Sequence, residues 1–292
     1  MKQIVIVNEL DMLEELIGKV DGFLLPVEGL SRNFPCYFPL EELCRLIVLI
    51  AEQGGEVFVA LNKNMHERDL EQLSQVMQKL ATLPINGVFY YDLAVVSLWQ
   101  NHKYEYPLIW NQEHMTTNYD TCNYWQQQNI RGVQLSSEIT LEEILEIRKK
   151  TTMQLFVPIF GYLPMFVSAR HLIKNYVATF QLDSTKGHYQ LAKEGYHYPI
   201  IDDGNGTEVY SSYLLNGLAE SLILADKGID YVLLNSFHIT KSQFRKVLEC
   251  YQTVTNETAA QLEEELEKLL PLPLEKGFFY RETIYKVKKY EK

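Results

Sequence analysis

The stretch that decides the fold is EVFVALNKNMHERDLEQLSQVMQKLATLPINGVFYYD, residues 56–92. It opens on the continuous apolar run EVFVALN, the pattern of a strand buried on both faces of a parallel sheet. DLEQLSQVMQKLATL (69–83) then repeats apolar residues at helical spacing and stops near Pro84. NGVFYYD (86–92) is a second buried run. The stretch therefore reads as strand, helix and strand with a parallel crossover.

The same reading extends in both directions. Buried-strand runs occur at QIVIV (3–7), GFLLPV (22–27), PLIWNQ (107–112), RGVQLS (131–136), QLFVPIF (154–160) and DYVLLN (230–235). With the first two, these make eight. Helical stretches lie between most of them, such as PLEELCRLIVLIAEQGG (39–55) and TLEEILEIRKK (140–150). Thr140 followed by Glu143 predicts a capping box at the start of the latter. Eight alternations predict an α/β fold of the (β/α)8 TIM-like barrel type. An open doubly wound sheet is the alternative.

A long gap separates the seventh and eighth runs. It contains HYQLAKEGYHYPIIDDGNGTEVYSSY (188–213), rich in Tyr, Val and Ile, with DDGNGT (202–207) as a hairpin turn. The expected organisation is a barrel over 1–256 with a small β insertion at about 176–216 between strands seven and eight. A C-terminal helix, ETAAQLEEELEKLL (257–270), and a basic tail of strand-like pattern, YRETIYKVKKYEK (280–292), follow.

Composition narrows the function classes. The 292 residues are 47% apolar and 22% charged, with a formal net charge of −11. That charge argues against a self-sufficient nucleic-acid binder, although net charge leaves a local basic patch open. No apolar run reaches the roughly 18 residues of a membrane span. MKQIVIVNELDMLEEL turns acidic too early for a signal peptide, so a cytoplasmic chain is expected. Cys36, Cys44, Cys122 and Cys250 are dispersed and read as reduced structural thiols.

In such a barrel the active site lies where strands end at the C-terminal rim. The candidates there are Asn62 and His66, Asp92, then Gln112, Glu113 and His114. Ser136, Ser137 and Glu138 follow the sixth run, Arg170 and His171 the seventh, and Asn235 and His238 the eighth. Asn62 and Asp92 are equally well read as helix caps. Glu138 can also serve a helix N-terminus, and His114 and His171 lack a metal-ligand spacing. Asn62, His66, Gln112, Glu138 and Arg170 are expected to line one pocket. Arg170, with its bidentate fork, is the expected anion ligand, and a salt bridge is its competing role.

YWQQQNIRGVQLSSEITLEEILEI (124–147) and FVPIFGYLPMFVSARHL (156–172) are similar to the collagenase-like peptidase family U32. VALNKNMHERDL (59–70) and, more weakly, EKGFFYRETIYKVKK (275–289) extend the resemblance. The resemblance implies a barrel-like fold. It also implies one of several activities: peptidase, as the family was first labelled, or hydroxylation of a tRNA wobble uridine, a ribosomal RNA cytidine or a ubiquinone intermediate. The tRNA branch uses prephenate. The hydroxylating members hold an iron–sulfur cluster on four cysteines, two of them in H-G-x-x-C-x-x-x-x-x-x-C directly after strand seven.

Laid on that pattern, Phe160 replaces the His, Gly161 is kept, Pro164 replaces the first Cys and His171 the second, while Ser168 and Arg170 match. A four-iron cluster needs thiolate ligands, and proline offers none. The expectation is a chain with no metal or cluster of its own. Its candidate catalytic residues are Asn62, His66, Gln112, His114 and Glu138, and its candidate ligand-binding residues are Asp92, Arg170 and His171.

The favoured function is partner of a longer, cysteine-containing paralogue in prephenate-dependent hydroxylation of tRNA wobble uridine to 5-hydroxyuridine. tRNA would be met through that complex, with no membrane involved. A peptidase or other hydrolase, and a small-molecule-binding barrel, are the alternatives. Tyr189, Tyr196, Tyr198, Tyr210 and Tyr213 are expected to be exposed on the insertion and to dock the paralogue.

Overall fold

The structure is a computed structural model that describes residues 1–112, 114–182, 189–193, 195–203, 206–270 and 272–281. The chain begins with β1 (Lys2–Ile6), α1 (Leu10–Leu16), β2 (Gly22–Pro26), α2 (Leu40–Glu52) and β3 (Glu56–Leu61). After a short 3-10 turn come α3 (Leu70–Leu80), β4 (Gly87–Tyr90), α4 (Leu93–His102) and β5 (Leu108–Trp110). Then follow α5 (Tyr119–Gln127), β6 (Gly132–Gln134), α6 (Leu141–Lys150) and β7 (Gln154–Gly161).

The insertion consists of β8 (Pro164–Ser168), α7 (Leu172–Thr179), β9 (Tyr189–Lys193), β10 (Tyr196–Asp203) and β11 (Gly206–Tyr210). The chain returns through β12 (Leu214–Asn216), α8 (Leu218–Asp226) and β13 (Tyr231–Asn235). It ends in α9 (Lys241–Thr253), α10 (Ala259–Leu269) and the two-residue β14 (Leu274–Glu275).

Strands β1 to β7 pair in sequence, all parallel, and β13 pairs in parallel with both β7 and β1. The eight apolar runs thus close into a (β/α)8 barrel, and the open sheet is ruled out. Strand alternation sorts the core into two sets. In β3, Phe58 and Ala60 point into the barrel with Ile4, Leu24, Phe89, Ile109, Phe156 and Leu233. Val57, Val59 and Leu61 point outward beneath helix residues such as Leu73, Val76 and Leu80. Inside, Phe58 meets Phe156 edge-on at 5.2 Å, and Phe156 stacks on Tyr231 at 4.3 Å. Each such buried ring contributes about 1.5–3 kcal/mol through its burial.

The expected capping box at the start of α6 is present. Thr140 accepts from the Glu143 amide at 3.2 Å, and the Thr140 amide donates to Glu143 Oε2 at 2.7 Å. At the end of β7, Gly161 takes φ +116°, and a Cβ there would lie 2.6 Å from the Asn235 carbonyl. Only glycine suits that turn. It sends the chain out of the barrel, while Gly161 and Phe160 pair antiparallel with Leu215 and Asn216 of β12.

The insertion is a four-stranded antiparallel sheet, ordered β8-β11-β10-β9. It begins earlier than the 176 read from the sequence, because Pro164–Ser168 forms its first edge. Gly204 and Asn205 of the expected hairpin turn lie outside the described residues, as does the tail beyond Arg281. The C-terminal segment folds back so that β14 pairs in parallel with β12. Among the described residues, no helix is long and apolar enough to cross a membrane.

Candidate functional site

The site is built on the loop after β2. Ser31, fully buried, accepts from the Val27 amide at 2.7 Å and donates to the Ala60 carbonyl at 2.6 Å. Asn62 lies just past β3, on the inward side. Its Oδ1 accepts from the Arg32 amide at 3.0 Å, and its Nδ2 donates to the Arg32 carbonyl at 3.1 Å. Arg32 and Asn33 are thereby fixed over the barrel mouth. Asn33 has φ 63°, a left-handed conformation that asparagine tolerates better than most residues.

The insertion sheet rests on this loop. The Asn33 amide donates to Glu208 Oε1 at 3.2 Å, and the Tyr210 hydroxyl donates to Glu208 Oε2 at 2.6 Å. Glu208 is 3% exposed, and burial pushes its carboxyl above the usual range against the pull of those donors and of Arg32.

A cavity of about 480 Å³ opens here, lined by Arg32, Asn33, Asn62, Asn64, Tyr91, Gln112 and His114, with Met165, Phe166 and Val167 of β8 above. Arg32 Nε and Gln112 Oε1 are buried with no hydrogen-bond partner among the described residues. The other cation of the lining, Lys63, is taken up by Asp69 Oδ1 at 3.1 Å and the Gly29 carbonyl. Beneath lies a smaller chamber of about 70 Å³, shared with Asn33 and Asn62 and walled by Asn111, Gln134, Ser137 and Asn235. Asn111 is 4% exposed, and its Oδ1 has no partner among the described residues. One cationic fork above unpaired amide oxygens suits a small ligand carrying an anionic group and an O–H or N–H donor.

The residues expected to share a pocket are divided. Asn62, Gln112 and His114 line the cavity. His114 Nδ1 lies 3.3 Å from Glu138 Oε1, and Glu138 belongs to a neighbouring hollow with Met165 and Tyr198. His66 starts the 3-10 turn, its amide donating to Asp69 Oδ2 at 2.9 Å, and does not line the cavity. Asp92 caps α4 by accepting from the Ala94 amide at 2.8 Å, and it holds the Met65 amide at 3.0 Å.

Arg170 is exposed on the turn into α7, with its carbonyl accepting from Thr207 Oγ1 at 2.8 Å. The turn at Gly161 carries it away from the rim, so the position expected of Arg170 is held by Arg32. His171 Nδ1 lies 2.9 Å from Asp202 Oδ1 within the insertion. Burial opposes the charge on Asp202, but the Lys174 and Ile173 amides and His171 hold its carboxyl below the usual range. Glu113 lies outside the described residues. Arg32 and Asn33 escaped the sequence reading although SRN (31–33) follows the GFLLPV strand end, which is the signal used at the other strands.

The model of peptidase family U32 matches residues 28–289. The chain belongs to peptidase family U32. It is similar to tRNA hydroxylation protein P2 of Bacillus subtilis (strain 168), 26% identical over 94% of this chain and 96% of that protein. tRNA hydroxylation protein P1 of the same organism is 20% identical over 83% of this chain and 61% of its own length. tRNA hydroxylation protein P of Escherichia coli (strain K12) is 27% identical over 42% of this chain and 28% of its own. A solved structure, that of the U32 peptidase Mk0906, shares the fold with TM-score 0.53 at 13% identity, over 80% of this chain and 92% of that one.

The cluster that U32 membership brings into question can be tested against the side chains. Pro164 is in β8, paired with Tyr210, and His171 is bonded to Asp202. Cys44, Cys122 and Cys250 sit on three different helices, and Cys36 Sγ donates to the Val7 carbonyl at 3.2 Å. Burial pushes the Cys36 and Cys122 thiols up to about 12, the opposite of what a thiolate ligand needs. These donors do not fit a four-cysteine cluster.

Proposed function

We propose that this U32 chain serves tRNA hydroxylation as the partner of a longer, cysteine-bearing paralogue. The paralogue would carry the iron–sulfur cluster and the redox step at the wobble uridine, and this chain would carry none. The observation behind the reading is end-to-end similarity to tRNA hydroxylation protein P2, combined with Pro164 and His171 at the two cluster positions. The coexistence of P1 and P2 in one organism, with P1 the longer by coverage, supports a long-and-short pairing.

In this proposal the mouth cavity binds rather than attacks. Among the described residues its lining offers a guanidinium, amides and a histidine, and no Ser, Thr or Cys that a peptidase would use as nucleophile. Arg32 would hold a carboxylate such as those of prephenate, and Gln112 and Asn111 would accept from a hydroxyl. His114, backed by Glu138, can relay a proton at the rim. The setting is the cytosol.

The test is nucleoside mass spectrometry of total tRNA from a deletion strain, with co-purification of the chain from native lysate. Loss of 5-hydroxyuridine-derived wobble nucleosides, restored by the gene, and recovery of a cysteine-bearing paralogue are expected. Unchanged wobble nucleosides together with no paralogue in the eluate would remove the reading.

A further inference from the structure

Helix α7 buries none of its residues, which is unusual for a helix of an inserted subdomain. Ile173 and Val177 are half-buried, whereas Leu172, Tyr176 and Phe180 are 39%, 56% and 60% exposed. Their i, i+4, i+8 spacing puts the exposed three on one stripe, and the Tyr176 and Phe180 rings lie 4.7 Å apart. On the sheet, Tyr196 is 54% exposed, with Tyr198 at 6.5 Å. Phe166 of β8, 49% exposed, lines the mouth cavity.

Charge distinguishes the occupants such a surface could take. Lys193 pairs directly across from Tyr196, whereas Lys174, two residues before Tyr176, lies on the opposite side of α7 from the aromatic stripe. Both lysines and Arg170 are exposed. The acids Asp202 and Glu208 are turned inward to serve the α7 amides and the Asn33 amide. Asp203 is exposed as well, so among the described residues this element shows Arg170, Lys174 and Lys193 against one exposed acid, in a chain of net charge −11. A protein–protein core is depleted in lysine. Rings interspersed with cations are what unstacked bases on a phosphate backbone require.

We propose that the insertion is a platform for single-stranded RNA, with Tyr176, Phe180, Tyr196 and Phe166 stacking bases and Arg170 and Lys193 meeting phosphates. It rests on the tRNA reading above and deepens it. The platform leads a single-stranded loop to the barrel mouth.

The test is fluorescence anisotropy of the whole chain with a labelled single-stranded RNA of about 12 nucleotides, within the usual span of such platforms. A duplex of equal length is the comparison. Single strands are expected to bind more tightly than duplex. Tyr176→Ala and Tyr196→Ala should each weaken binding by about tenfold, as loss of a stacked base does. Arg170→Glu with Lys193→Glu should reduce the salt slope by about 1.4, at about 0.7 per lost phosphate contact.

These side chains are exposed, so melting temperatures should match the parent and report any variant that does not fold. Absence of saturable binding at low salt, equal binding of duplex, or ring variants that bind like the parent would overturn the proposal. So would variants that lose a co-purifying polypeptide while keeping RNA affinity, because the surface would then be a protein dock. Unchanged tRNA in a deletion strain bears on the function alone and leaves these affinities to stand or fall separately.

Discussion

The side chain of Asn62 grips the peptide of Arg32 from both sides, accepting from its amide at 3.0 Å and donating to its carbonyl at 3.1 Å. Strand β3 thus sets the position of a guanidinium that belongs to the loop after β2. A backbone clamp of this kind fixes where the side chain starts without engaging its guanidinium.

Asn62→Ala should cost about 1–3 kcal/mol, since it strands a buried donor and acceptor of the Arg32 peptide. Asn62→Asp keeps an acceptor for the Arg32 amide but sets a buried carboxylate oxygen against the Arg32 carbonyl, so it should cost at least as much as Asn62→Ala. Urea denaturation of the three proteins checks the order. Equal midpoints for all three would show that the clamp is idle.

Arg32→Ala should leave stability nearly unchanged and weaken binding of a small carboxylate or phosphate by about tenfold or more, the usual scale for a charge-assisted bond. Arg32→Lys keeps the charge but not the planar fork, and should recover only part of the loss. Titration calorimetry with a hydroxy dicarboxylate reads this directly. Parent-like affinity in Arg32→Ala would move the anion site elsewhere.

Glu208 links the insertion to acidity. Its folded-state carboxyl is raised by burial, so the folded chain holds that proton more firmly than the unfolded chain. The resulting stability is fully present below the ordinary glutamate value of about 4.3 and is lost as pH rises through the folded value. Glu208→Gln, which imitates the protonated form, should match the parent at low pH and become relatively more stable as pH rises across that window. Melting temperatures against pH test the sign, and a gap that narrows with rising pH contradicts it.

Anaerobic treatment with iron and sulfide should leave the chain without stoichiometric cluster. The motive is Pro164 and His171 at the family's cysteine positions and the raised thiols of Cys36 and Cys122. The same thiols should resist alkylation at neutral pH until the protein unfolds. Stoichiometric iron lost on mutating the four cysteines would refute this.

The barrel was legible because strands buried on both faces are written as unbroken apolar runs, and because local signals such as Thr140 with Glu143 and Asp92 act within a few residues. The site was half legible. Strand-end reasoning reached Asn62, Gln112 and His114, whose backbones still follow their strands. It misplaced Arg170, because the left-handed turn at Gly161 is a non-local constraint set by the Asn235 carbonyl. It also took Tyr210 as exposed, whereas Tyr210 is 2% exposed and spends its hydroxyl on Glu208. Arg32 carried the strand-end signal of SRN (31–33), but its hold by the tertiary hydrogen bonds of Asn62 is announced by no spacing.

Barrel closure sets a timetable for synthesis. Lys2 of the first strand meets Tyr231 of the last, so β1 has its β2 edge satisfied early and its other edge open until nearly the whole barrel has been made. At ribosomal speed that interval is on the order of tens of seconds. Throughout it Ile4 and Ile6 of β1, together with Phe58 and Phe89, face a half-built lumen rather than a closed one. The insertion sheet, whose four strands lie within residues 164–210, can form before the ring that supports it is shut. Nascent chains halted before residue 231 should therefore engage chaperones through the open β1 edge and release them once Asn235 has left the exit tunnel.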